Sequence, residues 1–74
     1  MSVFKEYDVV RVVKLRNPDR HFDGTIGVRR SPRVGDIGTI CHVHTPGDVL
    51  VEMVNNDGMT VWLADFETEE LEIV

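Results

Sequence analysis

Short runs rich in Val, Ile and Thr alternate with clusters of Gly, Pro, Asn and Asp along this chain. Runs of four to eight such residues are typical of strands, and the clusters between them are typical of turns. No segment repeats its apolar residues at helical spacing. The runs that meet this description are residues 8–15, 38–44, 49–54, 60–64 and 71–74. The sequence therefore predicts an all-β chain of five strands.

The connections between these runs are of unequal length. Asp57-Gly58 suits the positive φ angles of a primed hairpin turn, and Pro46-Gly47 has the order that a type II turn prefers. Thr68 is placed to cap one 3₁₀ or helical turn before the last run. The first connection, residues 16–35, is much longer, and loops of that length are usually functional or disordered.

Five strands, two tight hairpins, a long first loop and one short 3₁₀/helical turn near the C-terminus predict a small SH3-like β-barrel. Closure of the barrel would hide strand edges that otherwise invite aggregation. A chain of 74 residues has room for one core, so residues 1–74 are expected to form a single SH3-like β-barrel domain.

The sequence also indicates a compartment. Cys41 is the one cysteine and cannot form an internal disulfide. The first residues lack the apolar segment of a signal peptide, and no apolar run approaches the roughly 20 residues needed to cross a bilayer. We therefore expect a cytoplasmic protein that does not enter a membrane.

Charge is distributed unevenly along the chain, whose net charge is −5. Residues 1–33 contain all eight Lys and Arg residues and four acids, whereas residues 34–74 contain nine acids and no Lys or Arg. One interpretation is that the two halves pair with each other inside the folded domain. The other is that a basic loop is presented to an acidic or anionic partner.

Three segments resemble a family of short bacterial SH3-like proteins of unknown function, and they cover most of the chain. They are Tyr7-Asp8-Val9-Val10-Arg11, Val34-Gly35-Asp36-Ile37-Gly38-Thr39-Ile40 and Asn56-Asp57-Gly58-Met59-Thr60-Val61. The second contains the family's Gly-Asp-x-Gly-Thr-Ile turn. Such proteins are often encoded on mobile elements such as integron cassettes, and the resemblance implies protein binding. The arginine-rich first loop is longer here than in that family.

Catalysis requires groups that converge, such as a nucleophile beside a base. Cys41 and His42 are adjacent in sequence, but consecutive side chains of a strand point to opposite faces and cannot pair. We find no other catalytic constellation, so the chain is not expected to be an enzyme. No cofactor is expected either.

The best candidates for partner binding are three arginines, Arg29, Arg30 and Arg33, because guanidinium groups form paired hydrogen bonds with carboxylates and phosphates. The alternative is that they pair with acids of the C-terminal half. Trp62 either packs in the core or flanks a binding groove between the first loop and the turn at Asp57.

Two histidines are the only candidates for a metal site. His42 and His44 are two residues apart on a strand and so share a face, but a structural zinc needs more ligands. His21 and a carboxylate such as Asp48 are the evident additions, and nothing in their spacing requires them to meet. We predict no metal, and a metal or small-molecule sensor is the least favoured function.

These observations favour a non-catalytic binding module, a protein–protein adaptor or modulator that uses the arginine-rich first loop and a groove flanked by Trp62. Its partner is expected to be another protein or a second copy of the chain. The alternative is a nucleic-acid-binding SH3-like module. An acidic composition without interleaved aromatic and basic residues disfavours that alternative.

Overall fold

The computed structural model describes residues 4–17, 19–22 and 29–74. These residues form five strands and one 3₁₀ turn: β1 Val9–Val12, β2 Ile37–Thr45, β3 Asp48–Val54, β4 Thr60–Glu67, the 3₁₀ turn Thr68–Glu70, and β5 Leu71–Ile73. An all-β architecture with a 3₁₀ turn before the last strand is therefore confirmed. Residues 18 and 23–28 of the predicted first loop lie outside the described residues.

The strands form one antiparallel sheet with the order β4-β3-β2-β1-β5. Each of the first three strands pairs with the next one along the chain, and β5 returns to pair with β1. This order leaves β4 and β5 at the two edges of the sheet. Closure of the sheet into a barrel stays a prediction.

One continuous apolar core lies on one face of the sheet. All five strands contribute to it, through Val10, Val12, Ile40, Val49, Val51, Val61, Trp62, Ala64, Phe66 and Leu71. The alternation of buried and half-buried residues in β3 follows from the two-residue period of a strand. Each large apolar side chain buried in this way stabilises the fold by about 1.5–3 kcal/mol.

The turns differ in detail from their predicted types. In the β3–β4 turn the Gly58 N–H donates to the Asn55 carbonyl over 3.0 Å. Only Gly58, with φ +78°, and not Asp57, has a positive φ, so this is not a turn with two positive φ angles. Gly47 also lacks the positive φ that a type II turn requires at its position. Thr68 does not cap the 3₁₀ turn, because Glu67 occupies the capping position.

The first loop covers the outer edge of β4. The Arg29 N–H donates to the Val61 carbonyl over 2.8 Å, and the Asp65 N–H donates to the His21 carbonyl over 3.1 Å. Phe22 forms an isolated bridge with Ala64 between them. The loop thus uses backbone groups that would otherwise offer a template for intermolecular strand pairing.

Close packing between neighbouring strands requires glycine at position 38. A Cβ atom there would lie 2.7 Å from the Glu52 carbonyl oxygen and 2.8 Å from Val51 Cγ1. Since the first of these atoms belongs to the backbone, a side chain at this position would force β2 and β3 apart. Gly38 in the Gly-Asp-x-Gly-Thr-Ile segment is therefore required by sterics.

We predict that Gly38→Ala destabilises the protein by about 1–3 kcal/mol, the usual cost of overpacking. Gly47→Ala is the matched control, because a Cβ at Gly47 has no neighbour within 4 Å. That control should stay within about 1 kcal/mol of the wild type. Urea unfolding followed by circular dichroism measures both, and equal destabilisation by the two substitutions would contradict the steric explanation.

Candidate functional site

Most of the arginines pair with acids of the second half of the chain. Arg11 contacts Glu72 at 2.6 Å, and Arg16 contacts Glu69 and, at 3.8 Å, Glu67. The further pairs are Arg20 with Glu70 and Arg30 with Asp36. The interpretation that the two halves pair internally therefore holds for these arginines. Arg29 and Arg33 have exposed side chains.

The Asp36 carboxylate joins the first loop to the core. Arg30 Nη1 and Nη2 donate to its two oxygens over 2.7 and 2.9 Å. The Arg33 backbone N–H and Trp62 Nε1 also donate to Asp36, over 2.9 and 3.0 Å. We call Arg30, Asp36 and Trp62 the Asp36 cluster. It holds the end of the first loop against β4.

Opposing effects act on the pKa of Asp36. Burial raises the pKa, but the hydrogen bonds from Arg30, Arg33 and Trp62 and the charge of Arg30 outweigh it, so the pKa lies below its usual value. The hydrogen bond to Asp36 correspondingly raises the pKa of Arg30. The pair is therefore ionised at neutral pH, and the Arg30 guanidinium is engaged within the protein.

Trp62 is a core residue. Its exposed fraction is 0%, and its ring centroid lies 5.2 Å from that of Phe66. Of the two alternatives left open by the sequence, the structure shows packing in the core, and Trp62 does not flank an open groove. Asp57 is exposed in the β3–β4 turn, and no ion pair within the described residues joins it to Arg29, Arg30 or Arg33.

A second cluster lies at the start of the first loop, whereas the Asp36 cluster lies at its end. Arg20 donates to both oxygens of Glu70, over 2.9 and 2.5 Å, and the side chains are 5% and 0% exposed. The backbone N–H groups of Arg16 and Glu67 donate to the same carboxylate over 2.8 and 2.9 Å. The Arg20 guanidinium also stacks 4.0 Å from the centre of the Phe66 ring. We call Arg16, Arg20, Glu67 and Glu70 the Glu70 cluster.

Burial raises the pKa of Glu70, yet its net pKa is lowered. The hydrogen bonds from Arg20 and from the Arg16 and Glu67 backbone, together with the charge of Arg20, outweigh the burial. The sequence pattern did not indicate this pair, whose members are 50 residues apart. Its one local signal is an acid three residues after another acid at the start of a helical turn, which is the spacing of a capping box.

An apolar groove lies between the residues at the start of the first loop and those at its end. Its volume is about 300 Å³, and its lining residues are Leu15, Asn17, Arg20, Phe22, Ser31 and Pro32. This groove is not the one that the sequence predicted between the first loop and the turn at Asp57, because neither Trp62 nor Asp57 lines it. Exposed Arg33 follows Pro32 directly in the chain.

The two histidines do lie together, as the sequence predicted. Their ring centroids are 5.0 Å apart in an edge-to-face arrangement. His44 Nε2 lies 2.9 Å from Asp65 Oδ1, and His42 Nδ1 lies 3.8 Å from a Glu6 oxygen. Donor atoms of His44, Asp48 and Asp65 all lie within 4.8 Å of one another. The His21 ring is not in this group, whereas Asp65, which the sequence did not suggest, is.

These clusters lie on one antiparallel sheet, to which the described residues of the first loop are hydrogen-bonded. Comparisons with protein-family models, with curated proteins and with solved structures found no match to this chain. Among the residues that the structure describes, none forms a helix with the length and apolar character to cross a bilayer.

We predict that fluorescence reports the burial of Trp62, the one tryptophan in the chain. Native emission should be blue-shifted and protected from acrylamide, and it should change in Asp36→Asn because this substitution removes the charge beside the indole N–H. Asp57→Asn, which changes an exposed acid in the same way, should leave the spectrum unaltered. Red-shifted emission that acrylamide quenches in the native protein would contradict the core position.

We predict that Glu70→Gln lowers the free energy of unfolding at pH 7 by about 3–5 kcal/mol, because it leaves Arg20 buried without its counter-charge. Glu72→Gln, which alters a half-exposed pair with Arg11, should cost less than about 1 kcal/mol. If Glu70→Gln does not fold, the apolar double substitution Arg20→Met/Glu70→Leu should restore folding.

The free energy of unfolding should depend differently on pH in the wild type and in Glu70→Gln. Because folding lowers the pKa of Glu70, its contribution is complete above the unfolded value of 4.5 and is lost as the pH falls through the lower folded value. The difference in stability between the wild type and Glu70→Gln should therefore shrink on acidification below that value. Urea unfolding at a series of pH values measures it, and a difference independent of pH would contradict this role.

Proposed function

We propose that this chain is a non-catalytic binding module whose first loop binds an acidic segment of a partner protein. The supporting observation is that the Asp36 and Glu70 clusters anchor the described segments at the two ends of the first loop. Arg29 and Arg33 remain exposed, and they flank in the chain Ser31 and Pro32, which line an apolar groove. Segments anchored in this way lose little conformational entropy when they bind, which favours recognition.

The chemistry of this surface suits a peptide that combines acidic and apolar side chains. Guanidinium groups bind carboxylates through paired hydrogen bonds, and Leu15 and Phe22 on the groove wall are partly exposed. A site with a desolvated apolar pocket beside charged groups is a common form of peptide recognition. A second copy of this acidic chain is one source of such a segment.

We also infer that the sheet belongs to an SH3-like barrel. The strand order, with β5 returning to β1 after a 3₁₀ turn, supports this architecture. The ion pair between Arg20 and Glu70 joins the first loop to the 3₁₀ turn. Cytoplasmic location is part of the proposal.

Nucleic acid is the alternative ligand for the same arginines, because phosphate and carboxylate accept similar hydrogen bonds. The net charge of −5 opposes it, since affinity for nucleic acid depends on clustered cations. We therefore propose a protein segment as the ligand, and single-stranded RNA is the comparison ligand in the test below.

We predict that the wild type selects acidic peptides with apolar residues from a displayed peptide library, and that Arg29→Ala/Arg33→Ala weakens their binding about tenfold to a hundredfold. Lys5→Ala/Lys14→Ala removes the same charge from other exposed positions and should have little effect. Fluorescence anisotropy with a selected peptide and with single-stranded RNA measures the affinities. Equal losses in the two variants, or tighter binding of the RNA, would contradict the proposal.

A further inference from the structure

We propose that His44, Asp48 and Asp65 form a binding site for Zn²⁺ on the face of the sheet opposite the core. Asp48 and Asp65 each precede a fully buried core residue, Val49 and Phe66 respectively. Because successive residues of a strand point to opposite faces, both carboxylates lie on the outer face. His44 comes from the neighbouring strand, so β2, β3 and β4 each supply one donor.

The geometry of the three donors is close to that of a zinc site. Their donor atoms lie within 4.8 Å of one another, and His44 Nε2 is 2.9 Å from Asp65 Oδ1. Zinc bound tetrahedrally at about 2.0–2.2 Å separates its ligand atoms by about 3.4 Å. Small side-chain rotations therefore suffice for all three to reach one ion. A three-ligand site leaves the fourth position to water.

Irregular strand pairing brings His44 to this position. The register of β2 against β3 shifts between Val43 and Thr45, so that His44 is an extra residue opposite the start of β3. A bulge of this kind redirects a side chain. The Asp65 backbone is held from both sides, by its N–H to the His21 carbonyl and by Arg20 Nη1 to its own carbonyl over 2.8 Å. The donors of His44 and Asp65 are thus held in position before an ion binds.

The electrostatics of the face favour a cation. Asp48 lies directly opposite Glu67 in the β3–β4 ladder, and like charges in that arrangement are destabilising. Within the described parts of the chain, no Lys or Arg side chain pairs with Asp48. A divalent ion would offset the repulsion among these carboxylates.

The donor set indicates which ion binds. Imidazole nitrogen suits zinc and neighbouring transition metals, whereas Ca²⁺ and Mg²⁺ prefer oxygen donors alone. The imidazole also separates this group from an ordinary cluster of surface acids. His42, whose ring packs edge-on against His44, orients that ring and does not ligate the ion.

The test uses the full chain without an affinity tag, after dialysis against EDTA. Calorimetric titration with ZnCl₂ should show one ion bound per chain, and CoCl₂ should give the visible absorption of a four- or five-coordinate site. His44→Ala, Asp48→Asn and Asp65→Asn should each weaken zinc binding at least about tenfold, as the loss of even a supporting group does. Thermal unfolding should occur at higher temperature with zinc.

Two control variants separate this site from chance binding. Cys41→Ser removes the one thiol, and His42→Phe removes an imidazole but keeps its ring packing, so both should bind zinc as the wild type does. Absence of heat, affinity unaffected by the three ligand substitutions, tighter binding of CaCl₂ than of ZnCl₂, or equal loss in His42→Phe and His44→Ala would overturn the proposal. His44 and Asp48 lie outside the core, so their variants remain informative if Asp65→Asn is unstable.

Discussion

A buried carboxylate at Glu70 organises the rest of the structure. This carboxylate accepts hydrogen bonds from Arg20 and from the backbone N–H groups of Arg16 and Glu67. The backbone carbonyl of Glu70 accepts a hydrogen bond from the Val13 N–H over 2.7 Å. The residues after β1, the first loop and the 3₁₀ turn therefore meet at one residue. Because an unpaired buried charge is strongly unfavourable, these segments are expected to order together.

Asp36 likewise joins the end of the first loop to the core. Asp65 lies between the Glu70 cluster, beside the proposed peptide-binding groove, and the proposed zinc site. The Asp65 carbonyl accepts a hydrogen bond from Arg20, while its carboxylate contacts His44. Buried ion pairs add little net stability compared with apolar replacements. We infer that here the ion pairs select one conformation of the long first loop. The small core of this chain would not fix that conformation by itself.

Local patterns were sufficient to predict the elements of the fold. The apolar runs at residues 49–54 and 60–64, and the turn residues Asp57-Gly58 between them, predicted β3, β4 and their hairpin. Less regular segments were predicted less well. The first run was expected over residues 8–15, but β1 ends at Val12, because the following residues bond to the 3₁₀ turn instead of to a strand.

The sequence by itself determined that the chain is all-β, that it has a long first connection, and that its charges are split between the two halves, since composition and short-range periodicity suffice for these. Only the tertiary structure decided which charges meet. Arg20 and Glu70 are 50 residues apart, Asp36 and Trp62 are 26 apart, and His44 and Asp65 are 21 apart. Such contacts depend on strand order, register and bulges. The pairing of Arg30 with Asp36, the burial of Trp62 and the grouping of His44 with Asp65 therefore followed only from the packed sheet.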